Sequence, residues 1–259
     1  MINQKEDSTL KFIRTFGFFP ESSQSNMEER YKGITGQLSK VLGYHFIFET
    51  RLDYPRYMTA IENEAFDIAV VNAFDYVKIK NRTRYIPILY RSDSLTATFV
   101  SRDKNLNNLL DLKNKKIGFS SRYSSASISA QYMFLKNDMF SDDYEQMYFN
   151  GHIPCLDAVY DGVIDVCVTG ERIFSKYSPL KKFKLSVILQ GEPLPQLVVL
   201  MHPNLHKDKA DIVDFFLNLK NTDDGKLMLD ETYLVVLKIF QAEKYYVCEL
   251  LLDYISSHE

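Results

Sequence analysis

An α/β fold made of two similarly built lobes is what this sequence predicts, and two observations carry the prediction. Apolar, strand-length runs alternate with stretches of helical periodicity along most of the chain, the order that gives a mainly parallel sheet. One unit of that alternation also occurs twice. Phe66-Asp67-Ile68-Ala69-Val70-Val71 and Ile164-Asp165-Val166-Cys167-Val168 are both apolar strands with an aspartate near the start, and each follows a short helix. Each of those helices has a proline near its beginning, Pro55 and Pro154, where the missing N–H costs nothing. Common α/β vocabulary can produce such an echo by coincidence, so it is weighed with the rest of the chain.

The elements follow in order. Lys11 to Phe16 alternates as a first strand, and the stretch from Gly17 to Pro20 ends it. Ile34, Leu38, Val41 and Leu42 share a helical face, with Gly43 where a C-cap glycine belongs. Tyr44 to Glu49 is a second strand, a helix runs from about Tyr57 to Ala65, and Asp67 to Val71 is a buried strand. Thr96 to Val100, a helical turn around Leu106 to Leu112, and the short strand Lys116 to Phe119 come next. A helix with core face Ile128, Tyr132 and Leu135 follows, then a helix from about Pro154 to Tyr160 feeding Ile164 to Val168. Leu197 to Met201 and a helix from Asp211 to Leu219 return the chain to the first lobe. The tail, with Leu234, Leu237, Ile239, Tyr246, Leu250 and Tyr254, reads as further helix on that lobe's surface.

Bulk properties narrow the function. The 259 residues can bury a substantial core, and 46% hydrophobic with 25% charged residues is an ordinary globular composition. A formal charge of −3 leaves no basic footprint for nucleic acid. The longest apolar runs are strand-sized, well short of the ~20 residues that span a bilayer. Met1 to Asp7 hold no apolar h-region and no cleavage site, which fits a cytoplasmic protein or a chain whose leader has been removed. Cys155, Cys167 and Cys248 are odd in number and lack CxxC spacing, so neither a disulfide framework nor a zinc site is expected; they read as small buried residues.

The chemistry concentrates where strand Lys116–Phe119 runs into Tyr123-Ser124-Ser125-Ala126-Ser127 at the start of a helix. Serine hydroxyls and free N–H groups at the positive end of a helix are what an oxyanion needs. The competing reading is an ordinary N-cap, because serine is favoured there in any case. No GxSxG elbow, HExxH, Walker loop or GxGxxG occurs. A Ser124/His152 hydrolase would require an orienting carboxylate and an oxyanion hole that the sequence does not locate.

Taken in order, the Tyr57 helix, Asp67-Ile68-Ala69, Asp111-Leu112-Lys113, the Ser-Ser-Ala-Ser turn, Gly151-His152 and Gly162-Val163-Ile164-Asp165 resemble the phosphate/phosphite/phosphonate-binding family of ABC-transporter solute-binding proteins, a type 2 periplasmic-binding fold. The similarity runs from about Lys11 to about Leu229. It implies two α/β lobes, residues 1–97 plus 197–259 and residues 98–196, closing on a small anion, with hinge strands near Phe99 and Leu197. In that family a Ser-Thr-Ser-Gly turn holds the phosphonate oxygens; Ser124 and Ser125 match its first two positions, Ala126 replaces the third hydroxyl but keeps its N–H, and Ser127 takes the glycine place. The resemblance further implies that His152 contacts the oxyanion and that Tyr57 lines the opposite lobe. Asn72, at the end of its strand, is a candidate amide donor or a turn residue.

The chain also departs from the family. Glu171 stands approximately where a carboxylate would meet a ligand amine, but the second acid falls near the uncharged Gln196, and Ser94 or Leu95 replaces an expected aromatic. These departures count against an aminophosphonate and leave open another anion or a ligand that is not a phosphorus compound. The function expected is a non-enzymatic solute-binding protein for an ABC permease, with no cofactor, no metal and an extracytoplasmic location. The alternatives are a sensor domain of a signalling receptor and, in the enzyme class, a biosynthetic protein on the same fold.

Overall fold

The computed structural model describes residues 12–149 and 151–258. The expectations for Met1–Asp7 and for Lys11 as a strand residue lie outside them. In chain order the elements are β1 (Ile13–Phe18), α1 (Gln24–Leu42), β2 (His45–Glu49), α2 (Tyr54–Glu62), β3 (Ile68–Val71), α3 (Ala73–Ile79), β4 (Ile86–Arg91) and β5 (Ala97–Ser101). They continue with β6 (Lys116–Phe119), α4 (Ser125–Lys136), β7 (Glu145–Tyr148), α5 (His152–Asp161), β8 (Val166–Gly170), α6 (Glu171–Ser175), α7 (Pro179–Lys182) and β9 (Ser186–Gln190). The last are β10 (Val198–Met201), α8 (Lys209–Asn218), α9 (Asp223–Glu231), β11 (Leu237–Ile239) and α10 (Tyr246–His258).

These elements form two compact units. One comprises the chain up to Val71 with Ile79–Tyr90 and Val199–Phe240; the other comprises Asn72–Lys78, Arg91–Val198 and the chain from Gln241. The first unit carries a six-stranded sheet in the order β11-β4-β10-β3-β1-β2, in which β1 runs parallel to both β2 and β3. Its core is strongly aromatic: Phe16, Phe18 and Tyr31 are fully buried, and Tyr31 stacks on Phe48 with ring centroids 4.7 Å apart. Each such burial contributes about 1.5–3 kcal/mol, so these rings anchor α1 to the sheet.

The second unit carries a five-stranded sheet in the order β7-β6-β8-β5-β9. Strand β6 is parallel to β7 and β8, whereas β5 is antiparallel to β8 and β9. On one face Phe99, Ile117, Phe119 and Val168 of the sheet are buried together with Ala130 and Phe134 of α4. On the other, Val100 and Ile164 are buried together with Leu156 and Val159 of α5 and Phe174 of α6.

Helix α4 shows how local sequence places an element here. Gly118 lets the strand pass, since a Cβ on it would press into Ile164, Phe149 and Cys155. Ser124, in extended conformation, then caps the helix with its side chain.

Three expectations change. Helices α2 and α5 start three and two residues earlier than the apolar pattern suggests, because Pro55 is the second residue of its helix and Pro154 the third. Part of the tail, Leu237–Ile239, is a strand of the first sheet; α10 packs instead on α4 of the second unit, with Tyr132 and Tyr254 edge to face at 5.3 Å, whereas the sequence assigns all of 197–259 to the first lobe. Cys155 and Cys167 form a disulfide, which spacing along the chain does not reveal. One cysteine lies on α5 and the other on β8, and packing of the helix on the strand brings them together. Cys248 is a buried free thiol.

Candidate functional site

The second unit gathers most of the polar side chains that the sequence singles out. Strand β6 ends at Phe119, and Ser120, buried at 1% exposure, begins the turn. The Ser120 hydroxyl donates to Ser124 Oγ at 3.1 Å, and the Ser127 backbone N–H donates to the same oxygen at 3.1 Å. A hydroxyl oxygen has two acceptor sites, so Ser124 is saturated as an acceptor and its own proton must go to Ser127 Oγ, 2.7 Å away. Ser124 is thus fully occupied as the helix cap. The relay leaves the Ser127 hydroxyl proton without an acceptor among the described residues.

Ser125 behaves differently. Its hydroxyl has no hydrogen-bond partner among the described residues, and neither do the N–H groups of Ser125 and Ala126 in the first turn of α4. Two hydroxyls and two N–H groups therefore stand unclaimed at the positive end of a twelve-residue helix. No Lys or Arg hydrogen-bonds to these groups among the described residues; the nearby Arg122 lies over the Tyr148 ring at 5.1 Å.

His152 opens α5. Gly151 precedes it with φ +120°, a conformation that requires glycine, and its N–H donates to the Ser120 carbonyl at 3.0 Å. That bond ties the start of α5 to the serine turn. His152 is half-buried, and its Nδ1 lies 2.9 Å from the Thr169 hydroxyl at the end of β8. Burial pushes the ring's pKa down to about 4, so it is neutral near pH 7 and carries a single N–H. Its Nδ1 partner is a hydroxyl where a hydrolase triad needs a carboxylate.

Asn72 sits where the chain enters the second unit. Its Oδ1 accepts from the Asp75 N–H at 2.9 Å, which caps α3, and its Nδ2 approaches the Tyr123 carbonyl at 3.5 Å. It braces the serine turn from the side. Glu171, the first residue of α6, is exposed, and its N–H donates to the Thr96 carbonyl. Gln196 donates its amide to the Asp93 and Ser94 carbonyls at 3.4 and 3.0 Å, so it fastens two backbone segments.

Tyr57 lies in the first unit and is fully buried. Its hydroxyl donates to the Val70 carbonyl at 2.9 Å and its ring stacks on Phe66 at 5.3 Å. These are the contacts of a core tyrosine. Conversely, the sequence reading misses Ser120 and the contact role of Thr169. Both end parallel strands, β6 and β8, at the carboxyl edge where α/β sheets present ligand groups, and that position is the signal that could have found them. Among the described residues no group of three or more His, Cys, Asp or Glu is placed to hold a metal, and no helix is long and apolar enough to cross a membrane.

A search of the curated proteins finds no match. Among solved structures, PhnD1 from Prochlorococcus marinus in complex with methylphosphonate superposes with a TM-score of 0.83 at 17% identity, over 94% of this chain and 98% of that one. A binding protein component of an ABC phosphonate transporter from Pseudomonas aeruginosa gives 0.80 at 16% identity, over 95% and 87%. The periplasmic aliphatic sulphonate binding protein SsuA from Escherichia coli gives 0.66 at 13% identity, over 95% and 92%. At these identities the likeness shows a shared α/β fold. Residues 16–245 match a protein family, and on that match the chain belongs to the ABC transporter phosphonate periplasmic substrate-binding proteins, which are solute carriers and not enzymes.

Proposed function

We propose that the start of α4 grips the oxyanion head of a small phosphonate, which the protein carries outside the cytoplasm to its ABC permease. The observation that carries this reading is the set of unclaimed donors: the Ser125 hydroxyl, the Ser127 hydroxyl, and the N–H groups of Ser125 and Ala126. His152 adds a neutral ring N–H. Neutral donors suit an oxyanion that must also be released, because hydrogen bonds to a charged group contribute about 1.5–3 kcal/mol each without the desolvation of a fixed cation. The disulfide supports an oxidising compartment.

The ligand's other end is best left without an amine. Glu171 is exposed, and Gln196 is neutral and committed to backbone carbonyls. An alkylphosphonate such as the methylphosphonate of the Prochlorococcus structure fits better than an aminophosphonate.

Calorimetry with methylphosphonate, 2-aminoethylphosphonate, phosphate, phosphite and an alkylsulfonate tests this. Methylphosphonate should bind more tightly than its amino-substituted counterpart, and Ser125→Ala should weaken it about tenfold with unchanged thermal stability. No binding of any oxyanion removes the transport reading. A loss of stability at constant affinity would make Ser125 part of the cap.

A further inference from the structure

Thr169 is 0% exposed, and among the described residues its hydroxyl has one partner, His152 Nδ1 at 2.9 Å. Two arrangements of that contact are possible. If Nδ1 carries the ring proton and donates to Thr169 Oγ1, the threonine proton is left buried without an acceptor, which is costly. If the hydroxyl donates to Nδ1, both groups are satisfied and the ring proton lies on Nε2. Hydrogen-bond accounting therefore selects the second arrangement.

The surrounding framework keeps the pair in register. The Cys155–Cys167 disulfide joins the helix that bears His152 to the strand that bears Thr169, three residues after the histidine and two before the threonine. Gly151 N–H to Ser120 carbonyl fixes the same helix start to the serine turn. The ring has little freedom to turn away from Thr169.

We propose that Thr169 is a positioning residue for His152: its hydroxyl donates to Nδ1 and locks the imidazole as the Nε2–H tautomer, so that the ring offers the ligand a donor and never a lone pair. The ligand part of this proposal rests on the phosphonate reading; the tautomer part does not. A ring fixed in this way discriminates by kind of group. It favours a fully ionised phosphonate oxygen and gives nothing to a hydroxyl or amine proton presented at the same place.

The test has two readouts. Long-range proton–nitrogen NMR of histidine-labelled protein, without ligand at pH 7.5, should show the His152 ring protonated at Nε2. Thr169→Val should lose that preference, and Thr169→Ser should restore it. In calorimetry with methylphosphonate, Thr169→Val should weaken binding about tenfold and Thr169→Ser should recover most of the loss. A ring protonated at Nδ1 in the wild type, or an unchanged tautomer in Thr169→Val, overturns the assignment even if phosphonate binds. A changed tautomer with unchanged methylphosphonate affinity overturns the role in binding. If the wild type shows the Nε2–H ring but binds no oxyanion, the tautomer lock stands and the phosphonate reading fails.

Discussion

The two units open with the same construction and put it to different uses. In each, the first strand of a parallel trio lies between the second and third: β2-β1-β3 in one, β7-β6-β8 in the other. In each, the helix after the second strand has a proline in its first turn, Pro55 or Pro154. In the first unit Asp53 caps that helix with its own side chain, and Tyr57, one turn further on, is sealed into an aromatic core. In the second, Gly151 contributes no side chain, and His152 stands at the first helical position against Thr169. The preceding helices differ likewise: Ser23 starts α1 without a side-chain cap bond, while a relay of three serines starts α4 and leaves donors over. Topology supplies helix N-termini in both units; residue chemistry decides which of them can hold an anion.

The disulfide is the largest asymmetry, since only the second unit is cross-linked among the described residues. Closing a loop of this length restricts the unfolded chain by about 3 kcal/mol. Replacing Cys155 and Cys167 together by serine should lower the unfolding free energy in urea by about that amount. Adding reductant to the wild type should do the same once the bond is exposed. Equal stability of oxidised wild type and double variant would show that the cross-link adds nothing to packing.

Acid should separate the units next. The folded pKa of His152, about 4, lies below the ordinary histidine value of 6.5, so between those values the unfolded chain binds more protons than the folded one. Stability should fall as pH drops from 6.5 to 4, on the order of 1–2 kcal/mol for a half-buried ring. In the first unit, hydrogen bonds from Arg84 hold Glu64 down at about 2, so its contribution is present above 4.5 and is lost only as pH falls from 4.5 towards 2. His152→Gln should flatten the upper window and leave the lower one unchanged in urea titrations. Identical pH profiles for wild type and variant would contradict the half-buried, neutral ring.

Much of this was legible in the sequence because it depends on local pattern. The β6–serine turn–α4 segment, the paired Asp67 and Asp165 strands, and Gly151-His152 can all be read from residue type and order. What stayed hidden depends on long-range packing. Cys155 and Cys167 meet only because α5 lies on β8, and α10 joins α4 because Tyr254 finds Tyr132, far off in sequence. Ser124 and Ser125 are indistinguishable on paper; the Ser120 hydroxyl and the Ser127 N–H saturate the first, while the hydroxyl of the second has no partner among the described residues.

Tyr57 is where the comparison can be sharpened by the smallest change. The family resemblance implies a ligand-lining aromatic, yet the hydroxyl is spent on the Val70 carbonyl and the ring on Phe66 and Phe19. Tyr57→Phe keeps the ring and removes one buried hydrogen bond, a net cost of about 1 kcal/mol. The variant should therefore unfold at slightly lower urea concentration and bind methylphosphonate as the wild type does. An affinity loss of tenfold at unchanged stability would give Tyr57 the ligand-facing role proposed for His152 in the second unit. The two helix starts would then be used alike, and the contrast between a packing unit and the proposed gripping unit would fall.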